Sequence, residues 1–151
     1  MAAQAWKLYN KAKKNLGAGS FALVNAMSTL KLMLVTSASN FATATLEHKG
    51  SLSGEVASGY GYSTSGKALG AVVWTAGASA GQYKLDASDL IWTATGGAVQ
   101  NIKGAVIFQS GASAGALHLV CYASLTSSQF TLAQGNTLTI QFASGGIFTL
   151  A

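Results

Sequence analysis

The stretch at residues 105–122 has the sequence AVIFQSGASAGALHLVCY, and its two ends differ in composition from its middle. Ala-Val-Ile-Phe at 105–108 and Leu-His-Leu-Val-Cys-Tyr at 117–122 are rich in residues that favour strands. The middle, Gly-Ala-Ser-Ala-Gly at 111–115, holds only small residues that are typical of a turn. The stretch therefore predicts two strands, near 99–109 and 116–124, joined by a small-residue hairpin loop.

The same alternation of strand-like runs and glycine-rich breaks continues on both sides of this hairpin. Leu-Lys-Leu-Met-Leu-Val at 30–35 predicts a well-buried strand. The other predicted strands lie near 67–76, 81–86, 89–95, 128–132, 136–142 and 146–150. Glycine supplies the turns, because the chain contains no proline. About eight to ten short strands favour an all-β fold, a jelly-roll or Greek-key β-sandwich.

One long connection interrupts this series of strands at residues 37–66. Ser, Thr, Gly and Tyr dominate it, and isolated apolar residues are its only candidates for burial. We expect an ordered connection with a helical turn near 52–57, closed by the Gly-Tyr-Gly-Tyr run at 59–62.

The last two predicted strands form the clearest hairpin of the sequence, joined by Ala-Ser-Gly-Gly at 143–146. In the first of them, Leu138, Ile140 and Phe142 are expected to point inward, because side chains alternate along a strand. Thr137, Thr139 and Gln141 are then the outward residues, and none carries a charge. These three are candidates for lateral pairing with another subunit.

The N-terminal residues 3–16 have a helical pattern, with an apolar face that includes Tyr9 and Leu16 and an opposite face of lysines. Gly17 then provides a helix stop. The expected organisation is an N-terminal helical arm at 1–18 and a β-sandwich domain at 19–151. Trp6 and Tyr9 fit a sandwich core poorly. Together with Leu16 they are candidates for contact with a neighbouring subunit or with the outside of the same domain.

Charged residues are scarce and unevenly distributed in this chain of 151 residues. They make up 9% of the sequence, against roughly 25% in a typical soluble domain, and none occurs from Gly104 to Ala151. A monomer that exposed this last third to water would lack the charges that usually prevent self-association. We therefore expect a single domain that forms a homo-oligomer or is covered by neighbouring subunits.

The net charge of +5 does not indicate a nucleic-acid-binding protein. All nine basic residues are lysines, so the chain lacks the arginine side chains best suited to phosphate and guanine contacts. Four of them lie within the predicted N-terminal helix, where a solvated helix face accounts for them. No apolar run reaches the length of a membrane span. Cys121 is the only cysteine, which excludes an intrachain disulfide and favours synthesis in a reducing cytoplasm.

Two copies of Gly-Ala-Ser-Ala-Gly, at 77–81 and 111–115, match the G-x-S-x-G pattern of hydrolases around Ser79 and Ser113. In hydrolases the serine of this pattern is the nucleophile. It lies between a strand and a helix, and an acid and a histidine follow later in the chain. Both copies are flanked by predicted strands, and no acid follows Gly104. We therefore interpret both as hairpin loops and expect no enzymatic activity.

The remaining residues that could bind a metal, a cofactor or a sugar are also better explained by structural roles. His48, His118 and Cys121 show no metal-ligand spacing, so neither a metal nor another cofactor is expected. Asp86 and Asp89 are best explained as caps of an Asx-type turn between two strands. Trp74 and Trp92, which each open a Trp-Thr-Ala sequence, are expected in the core, with a sugar-binding platform as the alternative.

Several segments of the chain resemble a family of small virion structural proteins from tailed bacteriophages. The resemblance covers almost the whole chain and rests on WKLYNKAKKNLG at 6–17, LKLMLVTSASNFAT at 30–43, LSGEVASGYGY at 52–62, IWTATGG at 91–97, AVIF at 105–108, GNTLTIQF at 135–142 and GIFTL at 146–150. These motifs are structural parts of the fold and do not indicate a catalytic or ligand-binding function. The small-residue stretch at 110–115 departs from the more polar loop that the family would have there.

The resemblance implies a β-sandwich or jelly-roll subunit of the virion, made in the host cytoplasm. Its expected role is that of a capsid decoration (cement) protein, a trimer that binds major capsid subunits. The alternative is a collar or tail spike, in which Tyr60, Tyr62 or the glycine-rich loop tips contact a receptor or glycan. A cell-wall hydrolase is the third possibility.

Overall fold

The antiparallel hairpin expected from the central stretch is the middle of the largest sheet. The computed structural model of the chain describes residues 4–19, 23, 28–111 and 117–151. The elements of these residues are β1 (Lys7–Leu8), α1 (Asn10–Gly17), β2 (Ser28–Thr36), a 3-10 helix (Lys49–Ser51), β3 (Lys67–Ala68), β4 (Val73–Ala76), β5 (Tyr83–Asp86), β6 (Leu90–Thr93), β7 (Val99–Gly111), β8 (Leu119–Ser124), β9 (Phe130–Leu132), β10 (Thr137–Ile140) and β11 (Phe148–Leu150).

The main sheet has the strand order β1-β8-β7-β2-β3, and β9 also pairs with β7. Every pairing is antiparallel. The 13-residue strand β7 pairs with β2 along most of its length, with β8 beside Gly104–Phe108 and with β9 at its beginning. The predicted pairing of β7 with β8 is therefore confirmed. Residues 112–116 of its loop lie outside the described residues.

The main sheet is covered on both faces, which explains the nearly continuous apolar run of β2. Leu30, Leu32 and Leu34 belong to one buried cluster, and Met33 and Val35 belong to another on the opposite face. A strand with one exposed face would show polar residues at every second position instead. Only Lys31, at the start of the run, interrupts it.

The layer that covers the first face consists of two small sheets, β10-β6 and β11-β5-β4. They contribute Leu85, Trp92, Ile140 and Phe148 to the cluster that packs on β2 and β7. The opposite face of the main sheet is covered by α1 and by part of the connection at 37–66, including Phe41. The expected all-β sandwich with a short N-terminal helix is confirmed.

The N-terminal helix is shorter than the sequence pattern predicts. It begins at Asn10 instead of residue 3, because Lys7 and Leu8 pair with Tyr122 and Cys121 at the edge of the main sheet. It ends at Gly17, as expected. The described part of the segment 1–18 is thus packed onto the sandwich and contributes to its core.

The predicted hairpin between the last two strands is wrong. β10 pairs with β6 and β11 pairs with β5, so the two strands belong to different sheets. The physical reason is the packing of their apolar residues: Leu138 lies opposite the buried Trp92, and Phe148 lies opposite the buried Leu85. Pairing between β10 and β11 would forfeit both of these contacts.

Two further predictions on either side of residue 66 need correction. The helical turn expected near 52–57 is a 3-10 helix at Lys49–Ser51. The strand expected at 67–76 is divided into β3 and β4, and Ala71 between them has a φ of 47°. Because L-residues seldom adopt a positive φ inside a strand, the chain leaves the main sheet here and enters the outer one.

Candidate functional site

One face of the three-stranded sheet β11-β5-β4 carries large apolar side chains that are partly exposed. In this sheet Trp74 and Phe148 lie on either side of Leu85, and Ala76 and Leu150 lie on either side of Tyr83. Tyr83 and Leu85 are two residues apart on β5, so both rows of side chains are on the same face. We call these six residues the outer-sheet apolar face.

The outer-sheet apolar face extends beyond the core that it helps to form. Leu85 and Phe148 are buried, whereas Trp74, Tyr83 and Leu150 keep 37%, 51% and 38% of their surface exposed. The rings of Trp74 and Tyr83 are stacked, with centroids 6.4 Å apart and an interplanar angle of 10°. Large exposed apolar groups that lie side by side on a folded protein usually mark a surface that another molecule covers.

Charge does not interrupt this face. The charged residues of β5, Lys84 and Asp86, point to the opposite side of the sheet, where the Lys84 Nζ atom lies 3.0 Å from Asp86 Oδ2. Strand β4 is exposed along its whole length and is the outermost strand of its sheet. The face and its edge are therefore accessible to a partner without the burial of an unpaired charge.

The prediction for the two tryptophans is half right. Trp92 is in the core, with 1% of its surface exposed, but Trp74 is partly exposed on the outer sheet. There it lies on the same face as Tyr83 and Leu85. Sequence reasoning missed Tyr83 and Leu150 as surface candidates, because a periodic pattern does not show where the core below a sheet ends.

A second surface feature is a groove of about 730 Å³ beside β10. Its lining includes Trp6, Thr137, Thr139 and Gln141, which are four of the six predicted interface residues. Among the described residues β10 pairs only with β6, so its other edge has no strand partner. Unpaired backbone groups at such an edge can pair with an added strand.

Aromatic rings and one carboxylate complete this groove. The ring of Trp6 contacts that of Phe142, with centroids 5.9 Å apart, and Phe130 and Leu132 form part of the apolar lining. Asp89 Oδ1 accepts a hydrogen bond of 3.0 Å from the backbone N–H of Phe142, which fixes the chain just after β10. Thr137, Thr139 and Gln141 are exposed, as predicted.

Of the two contacts expected for Tyr9, the structure shows the one with its own domain, and the buried side chain leaves no surface for a neighbouring subunit. Its side chain is completely buried between α1 and the main sheet, where its hydroxyl donates a hydrogen bond of 2.7 Å to the carbonyl oxygen of Phe41. Burial raises the pKa of Tyr9, and the proximity of Cys121 and Tyr122 adds to this effect. Leu16 is half-buried against the main core cluster. Tyr9 therefore belongs to the core of its own chain.

The motifs considered for catalysis or capping lie in turns. Ser79 is in the tight turn between β4 and β5, where its carbonyl accepts a hydrogen bond from Gln82 N–H, and no helix follows it. Ser113 lies outside the described residues. Asp86 Oδ1 accepts a hydrogen bond from Ala87 N–H, and, as noted above, Asp89 also accepts one from the backbone. Both carboxylates thus stabilise the backbone where β5, β6 and the end of β10 meet.

Neither metal-binding clusters nor membrane-spanning helices occur in the described part of the chain. Residues 4–19, 23, 28–111 and 117–151 contain no group of three or more His, Cys, Asp or Glu side chains that could hold a metal ion. No helix within these ranges is long and apolar enough to cross a membrane.

Comparison of the chain with protein-family models, with curated proteins and with solved structures finds no match in any of the three.

Proposed function

We propose that this chain is a structural protein of a tailed-bacteriophage virion, a capsid decoration (cement) protein that forms a homotrimer and stabilises the head by binding major capsid subunits. The observation that carries the proposal is the exposed outer-sheet apolar face. An enzyme needs a site that gathers reactive groups, whereas the outer-sheet apolar face and the groove beside β10 gather mainly apolar, hydroxyl and amide groups, with Asp89 as the one carboxylate of the groove lining.

The distribution of charge supports the assembly role. Strands β8 to β11 all lie in the segment from Gly104 to Ala151, which has no charged residue. Soluble monomers commonly place lysine or another charge on a free strand edge, because an unprotected edge pairs with other chains. The edge of β10 has no such protection, which fits a strand that is covered in the working assembly.

The two surfaces suit two different kinds of contact. The outer-sheet apolar face resembles the interfaces of permanent homo-oligomers, which are richer in apolar side chains than transient ones. We assign it to contact between copies of this chain. The groove beside β10 combines aromatic groups with threonine and glutamine, and we assign it to the major capsid protein. Three grooves on one trimer would strengthen weak individual contacts through avidity.

The capsid contact is tested with empty capsids purified without any decoration protein. Wild-type protein is expected to co-sediment with them to saturation, and a Thr139→Lys, Gln141→Lys double variant is expected to bind at least about tenfold more weakly, because a partner would then bury two unpaired charges. Thr45→Lys, a single exposed substitution on the connection, is the control and should bind like wild type. Equal binding by the double variant would refute the groove assignment.

A collar or tail spike that binds a glycan is the second candidate, and a separate cleft favours it. This cleft of about 370 Å³ lies between the connection and the start of β7, and its lining includes Glu55, Tyr60, Gln100 and Asn101. An exposed aromatic ring beside amide and carboxylate groups is a suitable surface for a sugar. Tyr62, the other tyrosine considered for this role, is buried and its hydroxyl donates to Glu55.

Binding to host envelope fractions separates the two candidates. A spike would bind those fractions and would not bind empty capsids. Its Tyr60→Ala variant would no longer bind the envelope fractions. A decoration protein would show the opposite selectivity, and Tyr60→Ala would bind capsids as the wild type does.

A further inference from the structure

His48 and His118 lie directly opposite each other where the connection at 37–66 meets the residue before β8. The flanking hydrogen bonds run from Lys49 N–H to Leu117 O, at 2.8 Å, and from Leu119 N–H to Glu47 O, at 3.0 Å. This pattern identifies the two histidines as a non-hydrogen-bonded antiparallel pair, the arrangement that brings opposing side chains closest. Their ring centroids are 4.9 Å apart, with an interplanar angle of 41°.

The charged groups around the pair come from the connection and from α1. Glu47 Oε2 lies 3.7 Å from His48 Nε2 and 3.4 Å from the Nζ atom of Lys11. Burial lowers the pKa of His118, and the nearby His48 and Lys11 lower it further, while Glu47 opposes them. Imidazole binds metals in its neutral form.

One nitrogen of the His48 side chain is unsatisfied by the described part of the fold. Within the described residues, the Nδ1 atom of His48 is buried without a hydrogen-bond partner, although its side chain as a whole is substantially exposed. A buried nitrogen without a partner costs free energy that an aliphatic or hydroxyl side chain at this position would not. Two adjacent imidazoles at the surface are more readily explained as ligands than as packing residues.

We propose that His48 and His118 together bind one divalent transition-metal ion of the zinc, nickel or copper class. Imidazole nitrogen is a preferred ligand of these ions. The site supplies two protein ligands and leaves the remaining positions to water, in keeping with the lack of larger ligand clusters in the described chain. Glu47 supplies negative charge beside the ion and Lys11 opposes it. The bound ion would link the long connection to the start of β8.

The experiment uses full-length protein without an affinity tag, titrated calorimetrically with Zn²⁺ and separately with Ni²⁺. Wild type is expected to bind one ion per chain. His48→Asn and His118→Asn are each expected to weaken binding at least about tenfold, because each removes one of the two ligands. Lys11→Ala retains both ligands and is expected to bind more tightly than wild type, since it removes the opposing charge.

Thermal unfolding with and without Zn²⁺ gives a second readout on the same four proteins. The metal should raise the Tm of wild type and Lys11→Ala and leave the Tm of both histidine variants unchanged. His48 is the more exposed position, so its variant keeps the test valid if His118→Asn folds poorly. Binding by His48→Asn as tight as by wild type, or no binding by wild type, would overturn the proposal. Neither outcome bears on trimer formation or capsid binding.

Discussion

The main sheet and the outer sheet differ in how completely they are covered. Leu32, in the main sheet, is fully buried, and both faces of its strand contact apolar clusters of the same chain. Leu150, in the outer sheet, keeps 38% of its surface exposed, although it lies on the same face as Leu85 and Phe148, which are buried in the core. The chain thus completes one sheet by itself and leaves the other incomplete. In the proposed assembly, the main sheet serves the fold and the outer sheet serves contact between copies of the chain.

The largest effect on stability is expected in the main sheet. Leu32→Ala removes a completely buried side chain between β3 and β7 and should lower the free energy of unfolding by about 2–5 kcal/mol. Urea denaturation at a fixed protein concentration measures this change. A loss below about 1 kcal/mol would show that the main sheet is less tightly packed than its burial indicates.

The next effect concerns the turn that brings the connection back to the main sheet. Gly66 has a φ of +62°, and a Cβ atom there would lie 1.8 Å from the carbonyl oxygen of Leu32. Gly96 has a similar φ of +73° but open space around the position of a Cβ. Gly96→Ala should cost about 1–2 kcal/mol for its backbone strain, and Gly66→Ala should cost more because the clash adds to the strain. Equal urea midpoints for the two variants would contradict the close approach at Gly66.

Alkaline pH should unfold the protein through the buried tyrosines. Burial raises the pKa values of Tyr9 and Tyr62 well above 10; Glu55 adds to this for Tyr62, and Cys121 and Tyr122 add to it for Tyr9. The unfolded state therefore releases these protons first, so stability is complete below about pH 10 and is lost as the pH rises above it.

Tyr9→Phe tests this explanation. The variant should lose about 1 kcal/mol at neutral pH, because it lacks the hydrogen bond to Phe41, yet it should lose less stability than wild type between neutral and alkaline pH. Circular dichroism combined with tyrosinate absorbance follows both changes. An identical alkaline midpoint in wild type and variant would exclude Tyr9 as a cause.

The smallest effect on unfolding is expected in the outer sheet. Leu150→Ala should change the unfolding free energy of the dissociated chain by less than about 1 kcal/mol, since much of the side chain is already in water. Its association should nevertheless weaken measurably in sedimentation at several concentrations. Unchanged association together with a large loss of stability would reverse the roles assigned to the two sheets.

The sequence predicts the strands well and their partners only in part. Local alternation is sufficient to locate β5 to β11 within a few residues, and the inward and outward residues of β10 are correct. The pairing of β10 with β6 depends on the contact between Leu138 and Trp92, which are distant in sequence. The exposure of Trp74 and the proximity of His48 and His118 likewise depend on tertiary structure. No local pattern contains that information.

Native mass spectrometry at low micromolar concentration tests the central claim most directly, comparing wild type with a Trp74→Ser, Tyr83→Ser variant. Thr75→Ser, on the opposite face of β4, is the control. We predict a homotrimer for wild type and control and a folded monomer for the double variant. A monomeric wild type would contradict the claim that the outer-sheet apolar face is covered by other copies of the chain.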